Sequence, residues 1–272
     1  MQQTISNPIG IFDSGTGGLT VAKTVTELLP HENIVYFGDT VHTPWGDKSA
    51  AAIQGYSIKI CDVLLQHHCK LIIIACHTAS TTAFELVKEH VGDRAHVMNV
   101  VDPIIQHIGE KYANKKIGLI GTKQTVRSNI YKKRLDMLNQ NIDFAALATP
   151  LLVPLIEEGF AHNPISETVI QEYLARPPLT NIDALILGCT HYPLLKDYIK
   201  KFYEYAVDII DASEVTANML KTFLSQHHLL NPNHLQPSKK VFYVSDYTDF
   251  FANTAKIFFP GDIELQPYPL WE

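Results

Sequence analysis

The chain is expected to fold as an α/β protein with doubly wound parallel sheets, built as two similar lobes. Three observations predict this. Short apolar, β-branched runs alternate with segments of helical period along the whole chain. The runs are continuous rather than alternating, as strands buried on both faces require. A pattern of strand, turn and second strand occurs twice. In chain order the predicted strands are 9–12, 34–37, 71–75, 97–101, 117–120, 184–187, 207–210 and 241–244. Between the first two, Val21, Val25, Leu28 and Leu29 share a helical face that stops at Pro30; between the next two, Tyr56, Ile60, Val63 and Leu64 share another. Sheets of this kind bind ligands beyond the carboxyl ends of their strands. Chemistry is therefore sought in the loops that follow each strand.

Composition removes several classes of function. The 272 residues are 46% hydrophobic and 18% charged, enough apolar material for a real core and too much for a disordered chain. The longest strictly apolar run, Leu71 to Cys76, falls far short of a membrane span. The start MQQTISNPIG has neither the basic nor the apolar region of a secretory signal. A net charge of -6 argues against a nucleic-acid partner. A soluble cytoplasmic protein is the expectation, with no membrane partner. Its four cysteines form no CxxC pair and have no nearby CxxH, so neither a disulfide framework nor a zinc site is expected. Cys61 and Cys69 read as small buried hydrophobes. His67-His68 and His227-His228 read as solvated.

Cys76 and Cys189 stand apart. The first half of the chain runs GIFDSGTGG (10–18) and then IIIACHTAS (72–80); the second runs GLIGTKQT (118–125) and then LILGCTHYP (185–193). Asp13 precedes Cys76 by 63 positions, and Thr122 precedes Cys189 by 67. Each cysteine is thus expected at a strand's carboxyl end with a helix directly behind it. Backbone N–H groups and the helix dipole would favour the thiolate there. One such thiol would suggest a nucleophile. Two on facing lobes suggest proton removal on one face of a carbon and delivery on the other, which inverts a stereocentre.

The motifs DSGTGG, FGDT, ACHTAS, IGTKQTVRS, VPLIEEG and LGCTHYPLL resemble those of the glutamate racemases, within the aspartate/glutamate racemase family, from about Ile9 to about Asp211. These are cofactor-independent enzymes that supply D-glutamate for bacterial peptidoglycan. The resemblance implies two pseudo-symmetric flavodoxin-like lobes with the active site in the cleft between them. It places the lobes at residues 1–99 plus 212–272, carrying Cys76, and 100–211, carrying Cys189. It implies catalytic thiols at Cys76 and Cys189, assisted by Asp13, Asp39, Glu157 and His191. Substrate contacts are implied at Asp13, Ser14, Trp45, Gly46, His77, Thr78, Thr190 and His191. No cofactor and no metal are implied; the partner is a small amino acid, and a homodimer is left open.

Three positions depart from the family's usual pattern. Cys76-His77-Thr78 stands for Cys-Asn-Thr, Pro44-Trp45-Gly46 for Pro-Tyr-Gly, and Thr149 for a cysteine before Pro150. A protonated His77 would stabilise a Cys76 thiolate. Trp45 keeps a ring N–H donor in place of a hydroxyl. These departures leave open a racemase for aspartate or another amino acid. A cysteine-nucleophile amidohydrolase and a non-catalytic amino-acid-binding protein are the rivals from other classes.

Overall fold

Ile9–Asp13, with every residue buried, forms the first strand, β1, an inner strand of the first of two parallel sheets. The computed structural model describes residues 4–233, 237–259 and 263–272. After β1 come α1 (Leu19–Leu28), β2 (Ile34–Gly38), α2 (Ala50–Gln66), β3 (Leu71–Ile74), α3 (His77–Thr82), α4 (Phe84–Val91), β4 (His96–Asn99) and α5 (Val101–Lys111). The chain continues through β5 (Lys116–Gly121), α6 (Lys123–Arg127), α7 (Ile130–Asp136), β6 (Asp143–Ala148), α8 (Leu152–Glu157), α9 (Pro164–Leu174), β7 (Ala184–Gly188), α10 (Lys196–Phe202) and β8 (Asp208–Ile210). It ends with α11 (Ala212–Gln226), β9 (Lys240–Val244), α12 (Asp249–Phe258) and β10 (Leu265–Pro267).

Among the described residues the strands form two sheets, ordered β10-β9-β2-β1-β3-β4 and β6-β5-β7-β8. Every pairing is parallel. The order β2-β1-β3-β4 in the first sheet matches β6-β5-β7-β8 in the second, so the sequence repeat is a repeat of topology. The first sheet is then extended at the β2 edge by β9 and β10, from the end of the chain. This is the expected α/β architecture of two parallel, flavodoxin-like lobes. Register aligns the carboxyl ends: Asp13 pairs with Gly38 and Phe12 with Ile74, while Gly121 pairs with Gly188. Asp13 and Cys76 therefore emerge side by side, as do Thr122 and Cys189.

The core follows from these faces. One apolar cluster joins Ile9, Ile11 and Ile73 of the first sheet to Leu119, Ile186 and Leu187 of the second, through α1, α5 and α11. A second, with Phe12, Phe37, Ile60, Leu64, Ile72 and Ile74, fills the other face of the first sheet. Cys61 and Cys69 belong to it as buried thiols, and all four cysteines are free. His68, His227 and His228 are exposed as expected. His67 departs from that expectation and rests half-buried against the Tyr243 ring. Among the described residues no helix is long and apolar enough to cross a membrane.

The fourth strand is shorter than its apolar run suggested. It stops at Asn99, because the Asn99 Oδ1 accepts from the N–H groups of Val101 (2.7 Å) and Asp102 (2.8 Å) and starts α5 there. Two strands carried no clear signal. β6 is an Ala-rich edge strand, and β10 is a three-residue edge; neither has the β-branched, doubly buried pattern of the inner strands.

The first sheet is also pinned by a buried ion pair. Lys70, fully enclosed ahead of β3, donates to Glu32 Oε2 at 2.7 Å and to the carbonyls of Ile5 and Leu229. The other Glu32 oxygen accepts from the Asn231 N–H at 2.8 Å. Removing one partner strands the other charge in the interior. Lys70→Met is expected to lower the unfolding free energy by about 3–5 kcal/mol. The exposed Lys221→Met should change it by less than about 0.5 kcal/mol. Urea unfolding followed by circular dichroism checks both; equal midpoints would contradict a structural role for the pair.

Candidate active site

Cys76 follows β3 after one residue and occupies the N-cap of α3, as the strand-to-helix reading requires. Cys189 directly follows β7, but no α-helix starts behind it. Tyr192–Leu195 forms a single 3₁₀ turn, with Pro193 near its start, and α10 begins only at Lys196. Both sulfurs lie against one small cavity of about 20 Å³, lined also by Ser14, Trp45, Gly46, His77, Thr78, Thr122, Thr190 and His191. That is room for roughly one water molecule. A larger open groove of about 710 Å³ between α5 and α11 contains none of these groups. Among the described residues no three His, Cys, Asp or Glu side chains are grouped to hold a metal.

The two thiols have unlike surroundings. Cys76 Sγ lies 3.7 Å from Ser14 Oγ. Burial, reinforced by the nearby Asp13 charge, pushes its thiol up to about 12, despite opposing help from the Ala79 N–H and the Ser14 hydroxyl. The expectation that the helix start would leave Cys76 as a thiolate is therefore overturned: desolvation outweighs the dipole. Cys189 Sγ lies 3.7 Å from His191 Nδ1, and His191 Nε2 is 3.0 Å from Glu157 Oε1 at the end of α8. Burial alone would lower the His191 pKa. Hydrogen bonds and charge from Cys189 and Glu157 overcome it and push the imidazole up to about 10. At neutral pH His191 is a buried cation facing a sulfur, and Glu157 is its partner rather than a solvated helix end.

Asp13 is fully buried beside these groups and, like Asp39, does not itself line the cavity. Its Oδ2 accepts from the Gly15 N–H at 3.1 Å, and Thr190 Oγ1 lies 3.5 Å from Oδ1. Burial raises its pKa, against the charge of His191 and the N–H groups of Gly18, Gly15 and Ser14. The glycine turn is required by this packing. A Cβ on Gly18 would lie 2.4 Å from the Asp13 Cβ, and one on Gly17 would lie 2.4 Å from the His191 ring.

Asp39 is placed differently from its expected catalytic position. It does not line the cavity. Its carboxylate is buried and already accepts from Trp45 Nε1 (3.1 Å), Trp271 Nε1 (2.7 Å) and Ser245 Oγ (2.8 Å), with His42 Nδ1 at 2.9 Å. Asp39 thus anchors the loop that carries Trp45 and Gly46. The same bond corrects the expectation for Trp45, whose indole N–H is spent on Asp39 rather than free for a ligand.

His77 is the other correction. Its ring is buried, and burial drives its pKa down to about 3, so it is neutral and cannot pair electrostatically with a Cys76 thiolate. Thr78 and Thr190 instead join the lobes. Thr78 Oγ1 is 2.9 Å from Thr122 Oγ1, and the Thr190 carbonyl accepts from Thr20 Oγ1 at 3.1 Å. Gly46 makes room for the same approach, since a Cβ there would lie 2.9 Å from the Thr122 Cβ. Thr122 was not singled out as a site residue, although it occupies in the second repeat the place of Ser14 in the first. Thr149 lies behind the cavity, its hydroxyl 2.7 Å from the Tyr192 hydroxyl.

Two thiols on separate lobes across one enclosed cavity, with a buried carboxylate and a buried imidazolium beside them, define an acid–base site. Comparison with known proteins gives the family. The family model for Asp/Glu/hydantoin racemases matches residues 20–220. Glutamate racemase of Chlorobaculum parvum is 39% identical over 262 residues, covering 95% of this chain and 96% of its own. The crystal structure of glutamate racemase from Francisella tularensis in complex with D-glutamate matches with a TM-score of 0.90 at 36% identity, covering 98% of this chain and 99% of the other. That from Thermus thermophilus, in complex with β-chloro-D-alanine, matches at 0.86 and 35%, over 97% and 98%. The chain belongs to the Asp/Glu/hydantoin racemase family. It is an amino-acid racemase, an isomerase.

Glu157→Gln removes the carboxylate that supports His191 and should bring the His191 pKa down from about 10. A folded-state value above the ordinary ~6.5 stabilises the fold fully below pH ~6.5, and that contribution is lost as pH rises through about 10. The variant should therefore show a shallower loss of stability across this window. Ring NMR titration of His191, with denaturant unfolding at pH 6 and pH 9, checks both. An unchanged titration would remove Glu157 from the account.

Proposed function

We propose that this racemase interconverts L- and D-glutamate by moving the Cα proton between Cys76 and Cys189, with no cofactor. The observation that carries the proposal is the pair of thiols on opposite lobes of one closed cavity, one held as a thiol and the other against an imidazolium. In one direction Cys189 takes the Cα proton on its face while Cys76 gives its own on the other. In reverse the two exchange roles. Asp13 and Ser14 govern Cys76; His191 and Glu157 govern Cys189. The Thr78, Thr122 and Thr190 hydroxyls and the backbone at Gly46 and at the start of α3 supply donors for the carboxylates.

Glutamate as substrate rests on the similarity to glutamate racemases, among them one bound to D-glutamate. The cavity of about 20 Å³ is far smaller than glutamate. The substrate therefore enters by parting the lobes, taken as residues 1–99 plus 212–272 and 100–211, across the Thr78–Thr122 and Thr20–Thr190 bonds. Enclosure afterwards strengthens each polar interaction by excluding water. The role that follows is supply of D-glutamate for peptidoglycan, and so for cell-wall synthesis and cell shape. Four free cysteines suit the reducing cytoplasm.

Cys76→Ala and Cys189→Ala should each reduce racemisation in both directions by at least about 10²–10⁴-fold, read as loss of circular dichroism from either enantiomer. β-Chloroalanine separates the two faces. Loss of the Cα proton and of chloride from Cβ gives 2-aminoacrylate, and needs a base on one side only. Each variant should eliminate from one enantiomer, and the two variants from opposite ones. Full racemase activity in either variant would exclude the two-thiol mechanism, and hydrolysis of an amide by one of them would favour a thiol nucleophile.

A further inference from the structure

His77 carries a buried polar atom that nothing in the described structure satisfies. The ring is 2% exposed, lies against the cavity, and has its Nε2 enclosed without a hydrogen-bond partner. Its Nδ1 is 2.8 Å from the hydroxyl of Tyr131, a residue of α7 in the four-stranded-sheet half, itself 2% exposed. Among the described residues that hydroxyl makes no other hydrogen bond. The two rings are 21° from parallel with centroids 6.3 Å apart, so the pair forms a flat bridge across the cleft.

A neutral imidazole has one N–H and one bare nitrogen, and the proton on Tyr131 decides which is which. If Nδ1–H donated to the phenol oxygen, two groups would be stranded: the phenol proton and the Nε2 lone pair. If the phenol donates to Nδ1, only the Nε2–H is left without a partner. The second arrangement leaves fewer buried groups unpaired and is the favoured one. It also leaves His77, a residue that lines the cavity, with a free N–H donor rather than a bare lone pair. A buried donor without a partner costs stability until an acceptor arrives, and a carboxylate oxygen is a strong one.

We propose that Tyr131 is a positioning residue: its hydroxyl holds His77 in the Nε2–H tautomer, so that His77 offers a neutral N–H to a carboxylate of the bound amino acid. An asparagine amide carries its own N–H donors and needs no neighbour to set a tautomer. This rests on the amino-acid substrate proposed above, but its first test does not.

In protein labelled with ¹⁵N-histidine, the His77 ring nitrogens report the tautomer directly, without substrate. The expected result is a protonated Nε2 and a bare Nδ1 in the unaltered protein, and loss of that preference in Tyr131→Phe. Kinetically, Tyr131→Phe should raise KM for glutamate on the order of tenfold, with kcat within about twofold. In the His77→Asn background the same substitution should leave KM unchanged. A protonated Nδ1 in the unaltered protein overturns the proposal, as does an equal KM increase from Tyr131→Phe in both backgrounds, the mark of a merely structural tyrosine. If Tyr131→Phe fails to fold, the tautomer of the unaltered protein alone decides. Absence of glutamate turnover alongside the expected tautomer would count against the substrate reading and not against the role of Tyr131.

Discussion

A carboxylate buried completely at the end of β1 is the constraint to which the rest of the site answers. Asp13 has no solvent, so its charge must be balanced by N–H groups and by a cation, and each provider constrains the chain. The N–H groups come from a turn whose backbone crowds the carboxylate so closely that Gly18 can carry no side chain. Gly38, the register partner of Asp13, is held to a bare backbone by the Gly15 carbonyl, 2.3 Å from where its Cβ would lie. Tyr36 donates to that same carbonyl at 2.7 Å and keeps its proton, because burial, Asp13 and Cys76 all oppose a phenolate. The cation is His191, from the other half of the molecule. One buried charge thus orders a turn, a strand end, a phenol and the closure of the lobes.

Topological symmetry is therefore not chemical symmetry. The β2-β1-β3-β4 and β6-β5-β7-β8 frameworks deliver a cysteine at equivalent places. Beside Cys76 stands the carboxylate of Asp13, where the second sheet has Gly121, and beside Cys189 stands the imidazole of His191, where the first has Thr78. The acid disfavours a thiolate near it, and the imidazolium brings positive charge to the other sulfur. A reversible proton exchange between two like groups benefits from such a bias, since both thiols charged or both neutral would leave no acid–base pair.

The fold was legible because inner parallel strands carry continuous apolar runs, as β2, β3 and β7 do throughout, β1 does up to Asp13 and β5 does after Lys116. β6 and β10 were not, because an edge strand needs neither continuous burial nor β-branched side chains. The cysteines were legible because a repeat marks position without reference to packing. What surrounds them was less so. Nothing in the local sequence of Asp39 shows that Trp271, 232 residues away, donates to it. The neutral state of His77 and the protonated state of Cys76 depend on how deeply each is buried, a property of the closed molecule and not of the motif. Tyr131 lies 54 positions from His77 and was invisible for the same reason.

The last stretch of the chain completes the first sheet rather than trailing from it. β9 and β10 add to the β2 edge, the Leu229 carbonyl caps the buried Lys70 ammonium, and the Trp271 indole closes over Asp39. During synthesis on the ribosome the strands of the four-stranded sheet, all within residues 116–210, emerge together and can pair at once. The six-stranded sheet draws its strands from both sides of that stretch, so its β2 edge stays open until β9 has been made.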